Sequence, residues 1–549
     1  MARSLRLRRW QKRALDALDA AGGTDFLAVA TPGSGKTTFA LAAVRIRLAR
    51  EPGRRIIIVA PTQHLKRQWA EAAERLDLHL ETGWTAQSPR LPADVHGLVT
   101  TYQQVSQSAS ELARFAEDAI VVLDEVHHAG DEQAWGQAIH LACRGAALRL
   151  SLSGTPFRSD TRAIPFVRYD DDGLACPDIE YGYGDALRDG GVVRPVRFPR
   201  IDGEMEWIAS DGTHAEASFA DNLDATAGAQ RLRTALSIEG DWIAEVIDRA
   251  HASLMDIRRT HPTAAGLVIA TDQDHARGIA SILRSRCGVQ PVVAVSEDAA
   301  SSRHIAAFAH SDDPWIVAVR MVSEGVDIPR LRVGVFATTT TTELFFRQAV
   351  GRLVRWTRGL GAQPAYMFIP DDPRLRRHAF TIAEQRRHSL RRRDDDGNLL
   401  PEAGHEGAID LERAAPELQL SLFAPLASRA VVGAPLDETD VDGITARPEP
   451  EEDDELLLEF APVPRIGSVD PDGPAPPAIL PRAQRQMLRD ANATAVTELS
   501  RIVDMTHAHI NSELNRRVGI ERIGEATIEQ LERRRAAALS WLMSATRTR

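Results

Sequence analysis

Residues 25–49 read DFLAVATPGSGKTTFALAAVRIRLA. A short apolar run leads into a loop with two glycines, and a helical pattern follows. Strand, glycine loop and helix in that order are the context a phosphate-binding loop requires. Gly33 and Gly35 let the backbone turn its N–H groups onto phosphate oxygens, aided by the helix N-terminus. Only Lys12, Lys36 and Lys66 are lysines among 66 basic residues, and one of the three sits in this loop. A thin ammonium reaches between β and γ phosphates, where a planar guanidinium fits badly. Thr37 would place its hydroxyl on Mg2+. The loop pattern G-x-x-x-x-G-K-[ST] has Ala30 at its first position, so the strict form is not met. The expected nucleotide contacts are Thr31, Pro32, Gly33, Ser34, Gly35, Lys36, Thr37 and Thr38, with ATP and Mg2+ as cofactors.

Similar apolar runs recur outward from this loop. RRIIIVAP, VHGLVTTY, AIVVLDE and LRLSLSG follow it; AGLVIATD, QPVVAVSE, PWIVAVRM, RVGVFATT and AYMFIP form a second set. Each is about five residues long and bounded by Gly, Pro, Asp or Thr, as buried parallel strands are. Helical patterns such as DHARGIASILRSRCG lie between them. The expected fold class is therefore α/β, with two tandem parallel-sheet domains. With 549 residues, 43% hydrophobic and 26% charged, the chain can bury sizeable cores.

The division this predicts is a first domain over 1–160, a hinge region rich in Gly, Asp and Pro over 161–240, and a second domain over 241–385. An acidic and then proline-rich linker follows over 386–475, with a helical region over 476–549. In the last region Thr527 and Gln530 form a capping-box pattern. The arginines at 386–393 could track phosphates or form a solvated basic face beside Asp394, Asp395 and Asp396. The net charge of −11 argues against a wholly basic nucleic-acid binder but leaves room for a local basic groove. Cys143, Cys176 and Cys287 are too far apart for a metal-ligand pattern. No run of about 18 apolar residues predicts a membrane span, and the basic start lacks the apolar core of a secretory signal. A cytoplasmic location is expected, with no membrane partner.

VVLDEVHH places Asp124 and Glu125 at the end of an apolar strand, the edge where open α/β sheets bind ligands. Asp124 would hold Mg2+ through water. Glu125 would take the proton from the water that attacks the γ-phosphate. His127 and His128 read as a surface turn or a coupling contact rather than a metal pair.

Taken together, these motifs resemble a superfamily 2 helicase or translocase of the DExH type, over roughly residues 5–370. LRRWQKRAL resembles the adenine-side motif, ATPGSGKT motif I, APTQHLKRQW motif Ia, LVTTYQQV motif Ib and LDEVHH motif II. LSGTPFR occupies the place of motif III; LVIATD resembles motif IV, VRMVSEGVDIPRL motif V and FRQAVGRLVR motif VI. SGTPFRSD and GVDIP are similar to the branch of restriction-enzyme motor subunits and excision-repair-type DNA translocases. The resemblance implies tandem RecA-like domains with an ATP cleft between them. It implies Gln11 as base reader, Gln348 as nucleotide sensor, and Gly325 and Asp327 near the ribose. Arg352 and Arg355 would be arginine fingers, and their spacing of three predicts a shared helical face. Ser153 and Thr155 would couple hydrolysis to domain movement. Pro61, Thr62, Thr101, Tyr102, Thr271 and Ser323 would touch nucleic-acid backbone, or serve as strand-end caps.

The function this implies is an ATP-dependent DNA helicase or double-strand DNA translocase. An RNA helicase shares the same motor motifs, and a motor subunit of a restriction or defence complex would need partner proteins. The C-terminal helices could bind DNA, a protein partner or the motor itself. No lysine follows Lys66, so the usual acidic-pair-plus-lysine nuclease site is not expected.

Overall fold

The computed structural model describes residues 3–87, 90–127, 133–154, 163–171, 173–209, 212–295, 299–319, 328–391, 424–431, 456–460, 481–503 and 505–547. All ten apolar runs are strands. The chain forms two compact units. One holds Met1–Ala28, Gly35–Ile179 and Glu455–Arg549; the other holds Val29–Ser34 and Glu180–Asp454.

The first α/β body runs β1 (Arg3–Leu7), α1 (Arg9–Ala21), β2 (Asp25–Ala30), α2 (Lys36–Arg50), β3 (Ile56–Ala60), α3 (Gln63–Glu74), β4 (Leu80–Glu81), β5 (Gly97–Thr101), α4 (Tyr102–Ala116), β6 (Ile120–Leu123), α5 (Gln133–Cys143), β7 (Leu148–Ser153) and β8 (Ile179–Tyr181). The sheet order is β4-β5-β3-β6-β7-β2-β8. The pairs β4–β5, β5–β3, β3–β6 and β6–β7 are parallel. Every residue of β3, β5, β6 and β7 is buried, the signature of a sheet covered on both faces. The strand order brings the C-terminal end of β6, with its two carboxylates, to the edge that also carries the loop after β2.

The second body runs α6 (Tyr183–Asp189), β9 (Val196–Arg197), β10 (Arg200–Ile208), β11 (His214–Ser218), α7 (Ala225–Ala235), α8 (Asp241–Thr260), β12 (Ala265–Ala270), α9 (Gln273–Cys287), β13 (Val292–Ala294), α10 (Ala299–Ala309), β14 (Trp315–Val319), β15 (Leu331–Ala337), α11 (Glu343–Gly351), β16 (Ala365–Pro370), α12 (Pro373–Arg391) and β17 (Ala424–Val431). Its sheet order is β11-β10-β16-β15-β12-β14-β13, with β17 on β10 and β9 on β16. The five strands from β16 to β13 are parallel. Two parallel sheets, one per body, are the tandem RecA-like arrangement.

The stretch expected as a hinge supplies strands instead: β8 to the first sheet, and β9, β10 and β11 to the second. Met205 and Trp207 of β10 point inward and pack with Phe219, Leu232 and Trp242. β10 then pairs antiparallel with β11 and β17. The stretch expected as a linker also supplies two strands. One is β17; the other is β18 (Leu456–Phe460), antiparallel to β1 in the register Leu5↔Leu458. The acidic run at 448–454 and the proline-rich run at 470–477 lie outside the described residues.

The helical region comprises α13 (Pro481–Val503), α14 (His507–Val518) and α15 (Ile528–Arg547). Leu499, Ile510, Leu514 and Ala538 form its core. The capping box is present in reciprocal form: Gln530 N donates to Thr527 Oγ1 at 3.2 Å, and Thr527 N to Gln530 Oε1 at 2.9 Å. Arg534 is fully buried and donates to Asn492, Asn511 and Asn515, so its charge is held by three neutral carbonyls.

These helices belong to the same compact unit as the first sheet, rather than forming a unit of their own. Arg482, Arg485 and Arg489 share one face of α13 at helical spacing. They pair with Glu71, Asp94 and Glu81 of the α/β body, each at 3.0 Å.

Candidate nucleotide-binding site

The loop between β2 and α2 has the backbone its glycines predict. Gly33 has φ +83° and Gly35 φ +94°, both in the left-handed region that side chains disfavour. At Gly35 a second constraint applies: an added Cβ would lie 2.6 Å from Gln11 Nε2. Gln11 is buried in the first turn of α1, where Arg8 N donates to its Oε1 at 2.8 Å and its Nε2 donates to Gly35 O at 2.9 Å. The residue expected to read the base is thus bonded to the loop itself. Ser34 is fully buried and Thr31 nearly so.

Lys36 starts α2, and its Nζ lies 3.0 Å from Glu125 Oε1. The other oxygen, Oε2, accepts from Gly154 N at 2.8 Å. Burial alone would raise the Glu125 carboxyl, but Lys36, His127 and the Gly154 N–H outweigh it and hold it low. Glu125 has φ +46°, a left-handed conformation that costs a non-glycine residue roughly 1–3 kcal/mol. In this conformation its carboxylate reaches both Lys36 Nζ and Gly154 N. Gly154 was legible only through motif III; its role is steric as well, since a Cβ there would sit 3.0 Å from Lys36 Nζ.

Asp124 is buried, and its carboxyl is pushed upward by burial and by Glu125 beside it. Trp69 Nε1 donates to its Oδ2 at 2.7 Å, and Tyr102 Oη donates to its backbone O at 3.0 Å. His127 is buried rather than on a surface turn. Its Nδ1 lies 3.2 Å from Ser153 Oγ and 3.7 Å from Glu125 Oε2, so motifs II and III meet through it. His128 and Thr155 lie outside the described residues.

The expected nucleic-acid contacts divide. Thr62 caps α3, accepting from Leu65 N at 3.3 Å, and Thr101 caps α4, accepting from Gln104 N at 3.2 Å. Both satisfy helix N-termini, the cap role weighed from sequence. Pro61 and Thr62 are half-buried. The Tyr102 side chain is fully buried, stacked on Trp135 and bonded to Asp124 O, so it supports the motif II strand rather than presenting a side-chain contact. Thr271 donates to Ala337 O at 3.4 Å. Ser323, Gly325 and Asp327 lie outside the described residues.

In the second body Gln348 lies on α11 and is half-buried. Arg352 is the C-cap of α11, but Arg355 has left the helix and forms an extended bridge opposite Val193. The shared helical face is therefore not observed. Leu353 and Val354, between the two arginines, are buried. Arg386 is also buried, while side chains 387–393 lie outside the described residues.

A glycine loop heading a helix, a lysine joined to the second of two strand-end acids, and motif III closing on that acid mark the first body as a domain of the superfamily 2 helicase type. Residues 4–158 match the family described as "Type III restriction enzyme, res subunit". The chain belongs to the family of the "Uncharacterized protein ML1624" of Mycobacterium leprae (strain TN), with 37% identity over 568 aligned positions covering 96% of this chain and 92% of that protein. The "Uncharacterized protein Rv2917" of Mycobacterium tuberculosis (strain ATCC 25618 / H37Rv) is 44% identical over 392 residues, 70% of this chain; the match spans 65% of that protein's length. Among solved structures, the fragment of a putative HsdR subunit of a type I restriction enzyme from Vibrio vulnificus YJ016 is similar at 18% identity and a TM-score of 0.47, covering 67% of this chain and 65% of that one. Among the described residues no helix is long and apolar enough to cross a membrane.

Proposed function

We propose that the chain is an ATP-dependent DNA motor, a helicase or double-strand DNA translocase, whose ATP hydrolysis drives movement along the polymer. The observation that carries the reading is the Lys36–Glu125–Gly154 constellation beside the loop Thr31–Thr38. Backbone N–H groups and Lys36 are a donor set for a triphosphate, and Thr37 with Asp124 is an oxygen donor set suited to Mg2+. When bound, Mg2+ would neutralise charge on the transferring phosphoryl group. Glu125, held ionised, would accept the proton of the attacking water. Gln11 would fix the loop, and Gln348, Arg352 and Arg355 would contribute from the second domain. Gly325 and Asp327 would lie by the ribose. Pro61, Thr62, Thr101, Thr271 and Ser323 would contact backbone phosphates, which carry no sequence information and so suit a moving grip.

The match to the res-subunit family favours a second reading, a motor that acts within a restriction-type or defence complex. The test is ATP turnover by the purified chain with single-stranded DNA, duplex DNA and RNA in parallel, alongside a mass measurement of what co-purifies. Stimulation by duplex DNA alone supports a translocase. Stimulation by RNA alone refutes the DNA assignment. Turnover that appears only with a co-purifying protein selects the complex-bound motor.

A further inference from the structure

Trp69 lies in the middle of α3, on the helix face that also buries Lys66, Ala70, Ala73 and Glu74. That spacing alone describes a core position, and a buried indole N–H must find some acceptor. Any backbone carbonyl would serve. Here the acceptor is Oδ2 of Asp124, at 2.7 Å, with both side chains nearly inaccessible to solvent. The bond does more than satisfy an N–H, because a carboxylate buried beside a second carboxylate is costly unless it is hydrogen-bonded. The choice of donor has a chemical consequence. A lysine or arginine at this point would orient the carboxylate but also neutralise it and compete with a cation. An indole has one N–H and no charge, so it orients the group and leaves its negative charge intact. Tyr102 Oη holds the backbone carbonyl of the same residue at 3.0 Å, so main chain and side chain are both fixed.

We propose that Trp69 is a positioning residue for the metal-binding carboxylate: its indole N–H holds Oδ2 of Asp124 so that the remaining oxygen faces the water shell of Mg2+. The proposal rests on the reading of Asp124 as the Mg2+ carboxylate. It adds a residue of the motif Ia helix to the nucleotide site. The helix that starts at the expected grip residue Thr62 thereby touches the metal site directly.

The test measures ADP binding rather than turnover. The full chain is titrated with a fluorescent ADP, once in Mg2+ and once in EDTA, for wild type, Trp69→Phe, and a chain with 3-benzothienylalanine at 69. The last keeps the indole shape and replaces N–H by sulfur, so it gives an answer even where Trp69→Phe fails to fold. Partners that orient metal ligands are typically worth 10–100-fold in metal affinity. The expected result is an unchanged affinity in EDTA and about a tenfold loss of the gain that Mg2+ confers. An equal loss in both media overturns the proposal in favour of a packing role. A Mg2+ gain equal to that of wild type overturns it outright. A wild-type chain whose ADP affinity ignores Mg2+ overturns the nucleotide-site reading as well, which separates the two failures.

Discussion

Replacing Arg485 by alanine tests whether the C-terminal helices are part of the first body. Arg485 is nearly buried, and its two Nη atoms lie 3.0 Å from the two oxygens of Asp94, with a third bond of 3.3 Å to Ala526 O. Breaking a wholly buried pair costs about 3–5 kcal/mol. Asp94, however, is 31% exposed and keeps the Ile528 N–H at 3.3 Å, so it rehydrates in part. Hydrogen bonds to charged groups are worth about 1.5–3 kcal/mol net. The expected loss is therefore about 2–3 kcal/mol. For a body of this size that lowers the melting temperature by roughly 5–10 °C. Hydrogen exchange should accelerate along α13 and at the start of α15 before it does in β3 or β6. A double-mutant cycle with Asp94→Ala should show the two losses to be less than additive. A variant melting within about 1 °C of wild type, with unchanged exchange in α13, would refute the reasoning and make the helices an independent appendage.

Four other outcomes follow from the nucleotide site and its surroundings. Lys36→Ala should abolish ATP turnover at saturating ATP; near-normal turnover would remove the phosphate-loop assignment. Glu125→Gln keeps an acceptor for the Gly154 N–H but cannot take a proton, so nucleotide binding should persist while turnover falls about 10²–10⁴-fold; a fall under tenfold would disqualify Glu125 as the base. Arg352→Ala and Arg355→Ala should leave nucleotide binding by the first body intact and cut turnover of the full chain by up to roughly 10³–10⁵; losses under threefold in both would reject their role as fingers. Burial, with His79 alongside, pushes His96 down from 6.5 to about 4, and its Nδ1 accepts the His79 N–H at 2.9 Å. The unfolded chain therefore takes up the proton first, and stability drops as pH falls from 6.5 toward 4, by about 2 kcal/mol at pH 5. Denaturant melts of wild type and His96→Asn at pH 7 and 5 check this, the variant losing less.

Most of the parallel strands were legible because they are buried on both faces and so read as largely apolar runs, as in IIIVA of β3 or IVVL of β6. The glycine loop was legible because its glycines, its lysine and the strand and helix that flank it form one contiguous pattern in the sequence. β10 was not, because RIDGEMEWI mixes charges with a mid-strand glycine. That glycine is there for a tertiary reason: a Cβ on Gly203 would lie 2.5 Å from the Trp242 ring. The arginines of PRAQRQMLRD were equally silent, since their carboxylate partners lie about 400 positions earlier, in α3, β4 and the segment before β5. Nor could spacing alone show that the helix ends at Gly351, which separates Arg352 from Arg355. Within the site, the Trp69–Asp124 contact joins two motifs that sequence reading treats as separate.

The pairing of β1 with β18 has a consequence for how the protein is made. Leu5 and Leu7 emerge from the ribosome long before the strand that covers them, with Leu458 and Phe460. At about 5–20 residues per second, the intervening stretch takes on the order of a minute to translate. For that time the nascent chain holds a segment with an uncovered apolar face, Leu5 and Leu7, and no strand along its edge, the kind of element that pairs with whatever strand it meets. Arg45, whose guanidinium lies 5.1 Å from the Phe460 ring, waits equally long for that cover. Gene fragments that stop before residue 456 leave this debt outstanding for good, and the expected symptom is self-association through the N-terminal strand rather than a lost nucleotide site.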